Sequence, residues 1–519
     1  MALALRIALW QQRQLRTQRR SVSTEAVDTL IIGGGPVGLS VGYHLAKEQR
    51  NGDGNGILVV DRDWTHAYCS ATRSAGGIRQ QFSVRHNIEM SRYGYSFLQE
   101  HHWDACEPRC AANNNNNNTA NAPCDMQFVE GGYLFLASTE TGADQLRINH
   151  QTQKSVGWGG NNNDDNEMIR LLTPEALQDK FPWLNADDLL LGSYGASGEG
   201  WFDPWSFLQT LKLKNQSMGI THLQGHPVSA TVEVDDDNDE SGRGGRCTVT
   251  HVAIQTPTGG ILNIAARNVV NAAGARASDV LDTIVRSYNE KNSGSSSPGR
   301  SLQCHVPVEP RKRCIFFFHC ASSSSSSCSQ QQSDAVVPHL CPLTVDTTGV
   351  YFRTEGIPGK GTFLCGVSPA NEEDDDDDTL QLQQQQPVVT QSEYDGLFHD
   401  LIWPSLYHRV PAFGNIKVQS YWAGYYDYNT FDQNAIIDKA TFVLQQQPPP
   451  DNDPCSAWLL LLTSNVFLVN GFSGHGLQHS PAAGRGVAEL IDNDNQYQTL
   501  DMNIFRYPRK EPILELGIV

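Results

Sequence analysis

The chain has 519 residues, 39% of them hydrophobic, and a formal net charge of −19. This length allows two domains around a large core. The acidic balance argues against a nucleic-acid-binding protein, which is usually basic, although part of the excess comes from local runs such as Asp374 to Asp378.

Residues 1–24 have the composition of a mitochondrial presequence. They contain five arginines, no acidic residue, and apolar side chains at Leu3, Leu5 and Ile7. The apolar part is interrupted by Arg and Gln and is too short to span a bilayer. A disordered basic tail is the alternative. We therefore predict import into mitochondria and no transmembrane span.

The stretch DTLIIGGGPVGLSVGYHLAKE, residues 28–48, predicts a dinucleotide site. An apolar strand runs into Gly33-x-Gly35-x-x-Gly38, and a helical pattern follows. Gly33 permits a tight turn, Gly35 lets a pyrophosphate approach the backbone, and Gly38 lets the helix pack closely on the strand. The helix N-terminus then faces the phosphates.

The second strand, ILVVDRD, ends at Asp61, which is suitably placed to accept hydrogen bonds from a ribose. Two later segments bring small residues and glycine to strand ends, at residues 69–83 and at Gly274 in VNAAGAR. Three glycine-bearing strand ends suit an extended FAD better than NAD. A module that binds only NAD is the alternative.

The 12 cysteines indicate a reducing compartment with free thiols, and Cys106 and Cys110 have no second pair at zinc spacing, so we predict no metal site. Several homopolymer runs predict solvated insertions. These runs are Asn113 to Asn118, Asn161 to Asn163, Ser322 to Ser327, Asp374 to Asp378, Gln383 to Gln386 and Gln445 to Gln447.

Strand-like and helix-like stretches alternate between these runs, which predicts α/β architecture. RCIFFFHC (313–320) and VYFRT (350–354) are typical of antiparallel strands in a second domain. We predict a discontinuous Rossmann-like FAD-binding domain plus an α+β substrate domain with a mainly antiparallel sheet. The predicted boundaries are 25–105, 200–290 and 455–505 for the FAD domain, 106–199 and 300–445 for the substrate domain, and 506–519 for a C-terminal tail.

The strings GGGPVG, VVDRD, VNAAGAR and the late loop GFSGHGLQ together resemble the D-amino-acid-oxidase-like family of FAD-dependent oxidoreductases. The Trp usual after AAGA in that family is Arg276 here. The resemblance implies FAD contacts at the following residues: Gly33, Gly35, Gly38, Asp61, Arg62, Ser70, Thr72, Gly76, Gly77, Ile78, Val228, Gly274, Gly471, Phe472, Gly474, His475, Gly476, Leu477 and Gln478.

The late loop also suggests how reduced flavin would be stabilised. The resemblance implies that a helix starting near Gln478 points its N-terminus at the flavin pyrimidine ring, with glycine N–H groups in reach of the ring. The sarcosine-oxidase-like subgroup has a lysine at the position of Gln478, and the neutral glutamine weakens the case for a fast oxidase.

The same subgroup attaches its flavin to a cysteine, which the shared N-T-x-D register places at Tyr425. Tyrosine forms no thioether, so we predict noncovalent FAD, with attachment through another residue as the alternative. Tyr425, Tyr426, Tyr428, Arg79 and His475 are candidate substrate contacts, although a Tyr-rich strand is more often packing. No catalytic base is assigned.

The strings GEGWFDPW, VPVEPRKR, RVPAF and WAGYYDYNTFDQN resemble a mitochondrial branch of the family whose members are needed for assembly of respiratory complex I. This implies a matrix flavoprotein, peripherally associated with the inner membrane, with complex I subunits or assembly intermediates as partners. The alternative function is a matrix FAD-dependent amine or amino-acid dehydrogenase or oxidase that acts on C–N bonds.

Overall fold

The computed structural model describes residues 26–48, 52–100, 126–157, 168–235, 245–293, 300–320, 337, 340–356, 360–368, 387–446, 458–493 and 495–517. The predicted presequence, Cys106, Cys110 and all the homopolymer runs except part of Gln445 to Gln447 lie outside these residues.

The strands follow in chain order. They are β1 (Ala26–Ile32), β2 (Ile57–Asp61), β3 (Gly77–Ile78), β4 (Tyr133–Ala137), β5 (Ile169–Leu172), β6 (Leu191–Gly195), β7 (Gly200–Trp201), β8 (Thr221–Gln224), β9 (His226–Asp235), β10 (Arg246–Gln255), β11 (Ile261–Asn271), β12 (Arg300–Gln303), β13 (Val308–Cys320), β14 (Leu343–Val345), β15 (Val350–Thr354), β16 (Thr362–Val367), β17 (Ile416–Asn429), β18 (Ile436–Gln446) and β19 (Trp458–Asn470).

The helices are α1 (Pro36–Glu48), α2 (Arg85–Gln99), α3 (Glu140–Ser155), α4 (Pro174–Lys180), α5 (Pro204–Ser217), α6 (Ala277–Asn292), α7 (Gln391–Tyr394), α8 (Trp403–Arg409) and α9 (Gly476–Asp492). A π-helical stretch, Asp395–Ile402, joins α7 to α8.

The first sheet carries the parallel strands. Within the described residues it has nine strands, and β8, β2, β1, β11 and β19 run parallel in that order. The last four residues of β1 are all buried, as expected for a central parallel strand covered on both faces. Strands from distant parts of the chain, β1 near its start and β19 near its end, thus share one sheet, which makes this domain discontinuous.

The second sheet has the order β17-β13-β16-β15-β14-β4-β6-β5. Its neighbours are antiparallel except for the β14 and β4 pair. Its core contains stacked and edge-on phenylalanine rings: Phe318 stacks on Phe363, and both meet the Phe413 ring edge-on. The predicted fold class, an α/β domain joined to a domain with a mainly antiparallel sheet, is confirmed.

Two expected boundaries need correction. β12 and β18, which the sequence boundaries assign to the substrate domain, pair with each other, and β18 also pairs with β19, so both extend the first sheet. Gln445 and Gln446, expected in a solvated insertion, lie in β18 opposite Leu459 and Trp458. Pairing with two neighbouring strands overrides their weak local preference for a strand.

The predicted C-terminal tail is a strap fixed to the protein surface. Arg509 forms a bidentate ion pair with Asp432 at 2.6 Å, and the Asp432 side chain is fully buried. Farther along, Ile513 enters the core beside α9. The Glu515 carboxylate accepts hydrogen bonds from the Ser83 N–H and Oγ at 2.7 and 2.6 Å, just before α2. Among the described residues, no helix is both long and apolar enough to cross a membrane.

Candidate functional site

The carboxyl ends of four parallel strands meet at one edge of the first sheet. Ile32 of β1 pairs with Val60 of β2 and with Asn271 of β11, and Asn271 pairs with Leu468 of β19. The loops that follow these strands therefore start side by side. Open α/β sheets bind ligands at this edge.

The three glycines of the first loop have different surroundings. A methyl group added at Gly38 would lie 1.9 Å from the Gly33 carbonyl oxygen, so Gly38 is required for the helix to pack on the turn. Gly33 itself has φ 112°. A methyl group at Gly35 would meet only the Cys69 Sγ, at 3.7 Å. The space beside Gly35 therefore lets a pyrophosphate approach at the start of α1.

Asp61 stabilises the glycine turn and also lies where a ribose is expected to bind. Its carboxylate accepts hydrogen bonds from the Gly34 N–H at 2.6 Å and from the Asp63 N–H at 2.8 Å. Burial nevertheless raises the pKa of this carboxyl. Each oxygen retains a lone pair for a ribose hydroxyl. Arg62, next in sequence, has an exposed side chain.

Two further residues expected to touch the cofactor lie at irregular points of the same sheet. Gly274, just past the end of β11, has φ 54°, and nothing lies within 4 Å of a methyl group added there. Val228 is the extra residue at a β-bulge of β9, between the paired Pro227 and Ser229. Bulges redirect side chains locally.

The segment between β2 and α2 uses its hydroxyl groups internally. The Ser70 Oγ donates to the Tyr425 carbonyl at 2.5 Å, and the Thr72 Oγ1 donates to the His66 carbonyl at 2.8 Å. A methyl group at Gly77 would lie 2.3 Å from the Tyr133 Oη. Because these hydroxyl groups already have partners within the protein, the backbone of this segment is better placed than its hydroxyl groups to contact a cofactor. Gly76 and Ile78, also expected contacts, are buried.

The loop after β19 is anchored by a carboxylate that sequence reasoning missed. The Asp427 Oδ2 accepts hydrogen bonds from the Gly471 and Phe472 N–H groups at 2.9 and 3.2 Å. The Gly471 N–H, one of the glycine N–H groups expected within reach of the flavin ring, is therefore already bonded to Asp427. Burial raises the pKa of Asp427 to about 6.

Helix α9 begins at Gly476, two residues before Gln478 and thus close to the predicted start, with His475 as its N-cap. The N–H groups of its first turn have no intrahelical acceptors, so they are available to an anionic ring. Gly474 precedes them with φ 100°, and a methyl group there would lie 2.6 Å from the Tyr426 ring. Leu477 lines the adjacent cavity.

Gln478 supports Arg79 and does not present its carbonyl to a flavin. The Gln478 Oε1 accepts hydrogen bonds from the Arg79 N–H and the Ser91 Oγ, both at 2.9 Å. The single Ser91 hydroxyl proton is shared between this oxygen and the Arg79 carbonyl, which lies 2.5 Å from the Ser91 Oγ. The backbone of Arg79 is therefore held on both sides, which the sequence alone did not indicate.

A cavity of about 660 Å³ separates this edge from the second sheet. Four of the candidate substrate contacts line it, namely Arg79, Tyr425, Tyr428 and His475. Tyr426, the other tyrosine considered, lines it too. Among its described lining residues there is no cysteine.

Arg79 is a buried cation in an aromatic setting. Its guanidinium carbon lies 4.8 Å from the Phe82 ring centroid and 5.2 Å from that of Phe135. Its NH2 group lies 2.9 Å from the His475 Nε2. Because guanidinium only donates, this Nε2 accepts, and the proton of a neutral imidazole lies on Nδ1. Burial and Arg79 hold the pKa of His475 well below its usual range.

Glu199 is a second residue that sequence reasoning missed. Its fully buried carboxylate accepts hydrogen bonds from the Gln80 N–H at 2.5 Å and the Gln81 Nε2 at 2.8 Å. It therefore fixes the backbone just after Arg79. Burial raises its pKa to about 7. No group of three potential metal-binding side chains occurs within the described ranges.

The sequence and the fold both match known flavoproteins. A family model described as DAO, FAD dependent oxidoreductase, matches residues 28–490. The FAD-dependent oxidoreductase domain-containing protein 1 of Xenopus laevis is 35% identical over 507 residues, which cover 95% of this chain and 85% of that protein. The Bos taurus protein of the same name is 35% identical over 488 residues, with 93% and 85% covered.

Among solved structures, the L-proline dehydrogenase of P. horikoshii superposes with a TM-score of 0.60 at 19% identity, over 93% of this chain and 97% of that one. The open backbone at Gly35 and Gly274 and the N-termini of α1 and α9 fit FAD. The predictions of the family and of FAD as the cofactor are confirmed.

Proposed function

Because the chain belongs to the DAO family of FAD-dependent oxidoreductases, we propose that it oxidises the C–N bond of a small amine or amino acid that carries a carboxylate. The observation that carries this proposal is the buried Arg79 guanidinium on the cavity wall, next to the loop that leads into α9. FAD, when bound, supplies a two-electron acceptor for the hydride on the carbon next to nitrogen.

The substrate carboxylate would bind at Arg79. A guanidinium donates two parallel hydrogen bonds to a carboxylate, and hydrogen bonds to charged groups contribute about 1.5–3 kcal/mol each. The backbone contacts to Gln478 and Ser91 fix Arg79 before any substrate arrives. Little ordering entropy then opposes binding.

The site would favour the neutral form of a bound amine over its ammonium form, and the neutral form is the one that can lose a hydride. Positive charge at Arg79 lowers the pKa of an ammonium group bound nearby. The amine proton goes to solvent, and the oxidised product is an imine that water hydrolyses. His475 is not used as the base, because its Nε2 already accepts from Arg79.

The electrons would pass on to a carrier protein or a quinone. Gln478 gives no positive charge beside the flavin, and its carbonyl is committed to Arg79 and Ser91. A positive charge there would help oxygen to react with reduced flavin. We therefore propose a dehydrogenase rather than a fast oxidase. FAD would be held noncovalently, and guanidinium should then release all of it from the chain.

Anaerobic titration of the purified flavoprotein tests this function. We expect a carboxylate-bearing secondary amine to bleach the flavin absorbance. Arg79→Met should keep its flavin but lose most of the affinity for that amine, while Arg79→Lys retains part of it. If no amine or amino acid in a broad panel reduces the flavin, the proposal fails.

A second proposal is a role in assembly of respiratory complex I. It is favoured by the strings around Gly198 to Trp205 and Trp422 to Asn434, which resemble the mitochondrial branch described above. It includes matrix localisation, peripheral inner-membrane association and contact with complex I subunits. Loss of the gene should lower assembled complex I, and normal levels would exclude this role. Rescue by the Arg79→Met form would separate assembly from amine oxidation.

A further inference from the structure

Two more arginines line the cavity besides Arg79: Arg73, which donates to the Ala67 carbonyl at 2.9 Å, and Arg313. Arg313 lies on β13 directly across from Gly424 of β17. The Arg313 guanidinium carbon lies 5.2 Å from the centroid of the Tyr426 ring. Arg313 thus lines the cavity from β13, whereas Arg79 lines it from the segment just after β3.

Tyr426 lies close enough to both Arg313 and Arg79 for both positive charges to act on it. Its ring packs on one side against Arg313. Its other neighbour is Gly474, where an added methyl group would come within 3.1 Å of the Tyr426 Oη. Gly474 is followed by His475, whose Nε2 contacts Arg79 at 2.9 Å. Arg79, Arg313 and Tyr426 therefore line the same cavity.

The acidic residues of the cavity wall have partners of their own. Among the described lining residues they are Asp432 and Glu515. Asp432 is paired with Arg509, and Glu515 accepts from Ser83 and, at 2.6 Å, from the Asn87 Nδ2. The field in the cavity is therefore set by the arginines, and it favours an anion of charge greater than one.

Given an amine substrate as proposed above, we infer that it carries two carboxylates, one bound at Arg79 and the other at Arg313. The chemical class is a secondary or primary amine with two carboxylate arms. Arg313 is then the residue that selects dicarboxylates over monocarboxylates, and Tyr426 can donate its hydroxyl to a ligand between the two sites.

Calorimetric titration of the FAD-loaded protein with two ethers tests the inference without turnover. Diglycolate has two carboxylates, methoxyacetate has one, and neither has a C–N bond. We expect diglycolate to bind at least about tenfold more tightly. Arg313→Gln should bring this ratio close to one. Lys312→Gln, with the same charge change on the neighbouring residue, should preserve the ratio, because Lys312 pairs with Glu393 away from the cavity.

Equal binding of the two ethers, or a ratio unaffected by Arg313→Gln, would overturn the inference. If the glutamine variant does not fold, Arg313→Lys should lower the ratio without abolishing it, and an unchanged ratio counts against us. Failure here is distinct from failure of the proposed function. Flavin reduction by N-methylglycine without any preference for diglycolate keeps amine oxidation and removes the second site. If the protein prefers diglycolate but no amine reduces its flavin, the second carboxylate site is kept and amine oxidation is rejected.

Discussion

Alanine substitutions at Gly35 and Gly38 separate the role of the cofactor from that of the fold. The two residues lie three positions apart in one motif. A methyl group at Gly38 would lie 1.9 Å from the Gly33 carbonyl oxygen, whereas at Gly35 its nearest neighbour is 3.7 Å away. The protein itself therefore rejects alanine at Gly38 and accepts it at Gly35.

The expected magnitudes differ accordingly. Gly38→Ala forces helix α1 away from β1, and overpacking of this kind costs about 1–3 kcal/mol of unfolding free energy. Gly35→Ala should leave the free energy of unfolding of the apoprotein unchanged or raise it by about 0.4–1 kcal/mol, because alanine has less freedom in the unfolded chain. The same methyl group would occupy the space that a pyrophosphate needs.

Urea unfolding of the apoproteins and flavin absorbance of the purified proteins measure the two effects. We expect Gly35→Ala to retain apoprotein stability and lose most of its FAD. We expect Gly38→Ala to lose stability whether or not FAD is added. If Gly35→Ala binds FAD as tightly as the parent chain, the pyrophosphate does not pass Gly35 and our placement of the cofactor is wrong.

Three further predictions concern residues that hold the site in place. Arg509→Met breaks a buried ion pair and should lower the unfolding free energy by about 3–5 kcal/mol. Arg85→Met, at an exposed pair, should change it by less than about 0.5 kcal/mol. Equal losses in the two variants would contradict our conclusion that the buried Arg509 pair fixes the C-terminal strap. Burial raises the pKa of Glu199 from 4.5 to about 7, so the folded chain keeps a proton that the unfolded chain releases. The unfolding free energy should therefore fall as pH rises from 4.5 to about 7, and Glu199→Gln should make that fall less steep. An equally steep fall in the variant would contradict the assignment of this pH dependence to Glu199. Asp427→Ala removes the acceptor of the Gly471 N–H and should weaken FAD binding at least about tenfold, which equilibrium dialysis measures; unchanged affinity would show that this loop does not depend on its anchor.

Local patterns in the sequence were sufficient to predict one part of the molecule. The strand, turn and helix around Gly33 to Gly38 are encoded within some twenty residues, because glycine spacing and apolar runs act over short distances. The antiparallel strand at Arg313 to Cys320 was predicted in the same way. Residue contacts to FAD remain predictions.

Contacts between distant parts of the chain were not predictable in this way. No local pattern indicates that the Gln478 side chain supports Arg79, that Asp427 anchors the loop after β19, or that Glu515 reaches Ser83. Each contact depends on which strands pair and on how the helices pack over them. The sequence by itself determined the strand, the glycine turn and the helix of the dinucleotide motif. Only the tertiary structure decided which buried charges face the cavity, because side chains from four separate segments are brought together there by packing.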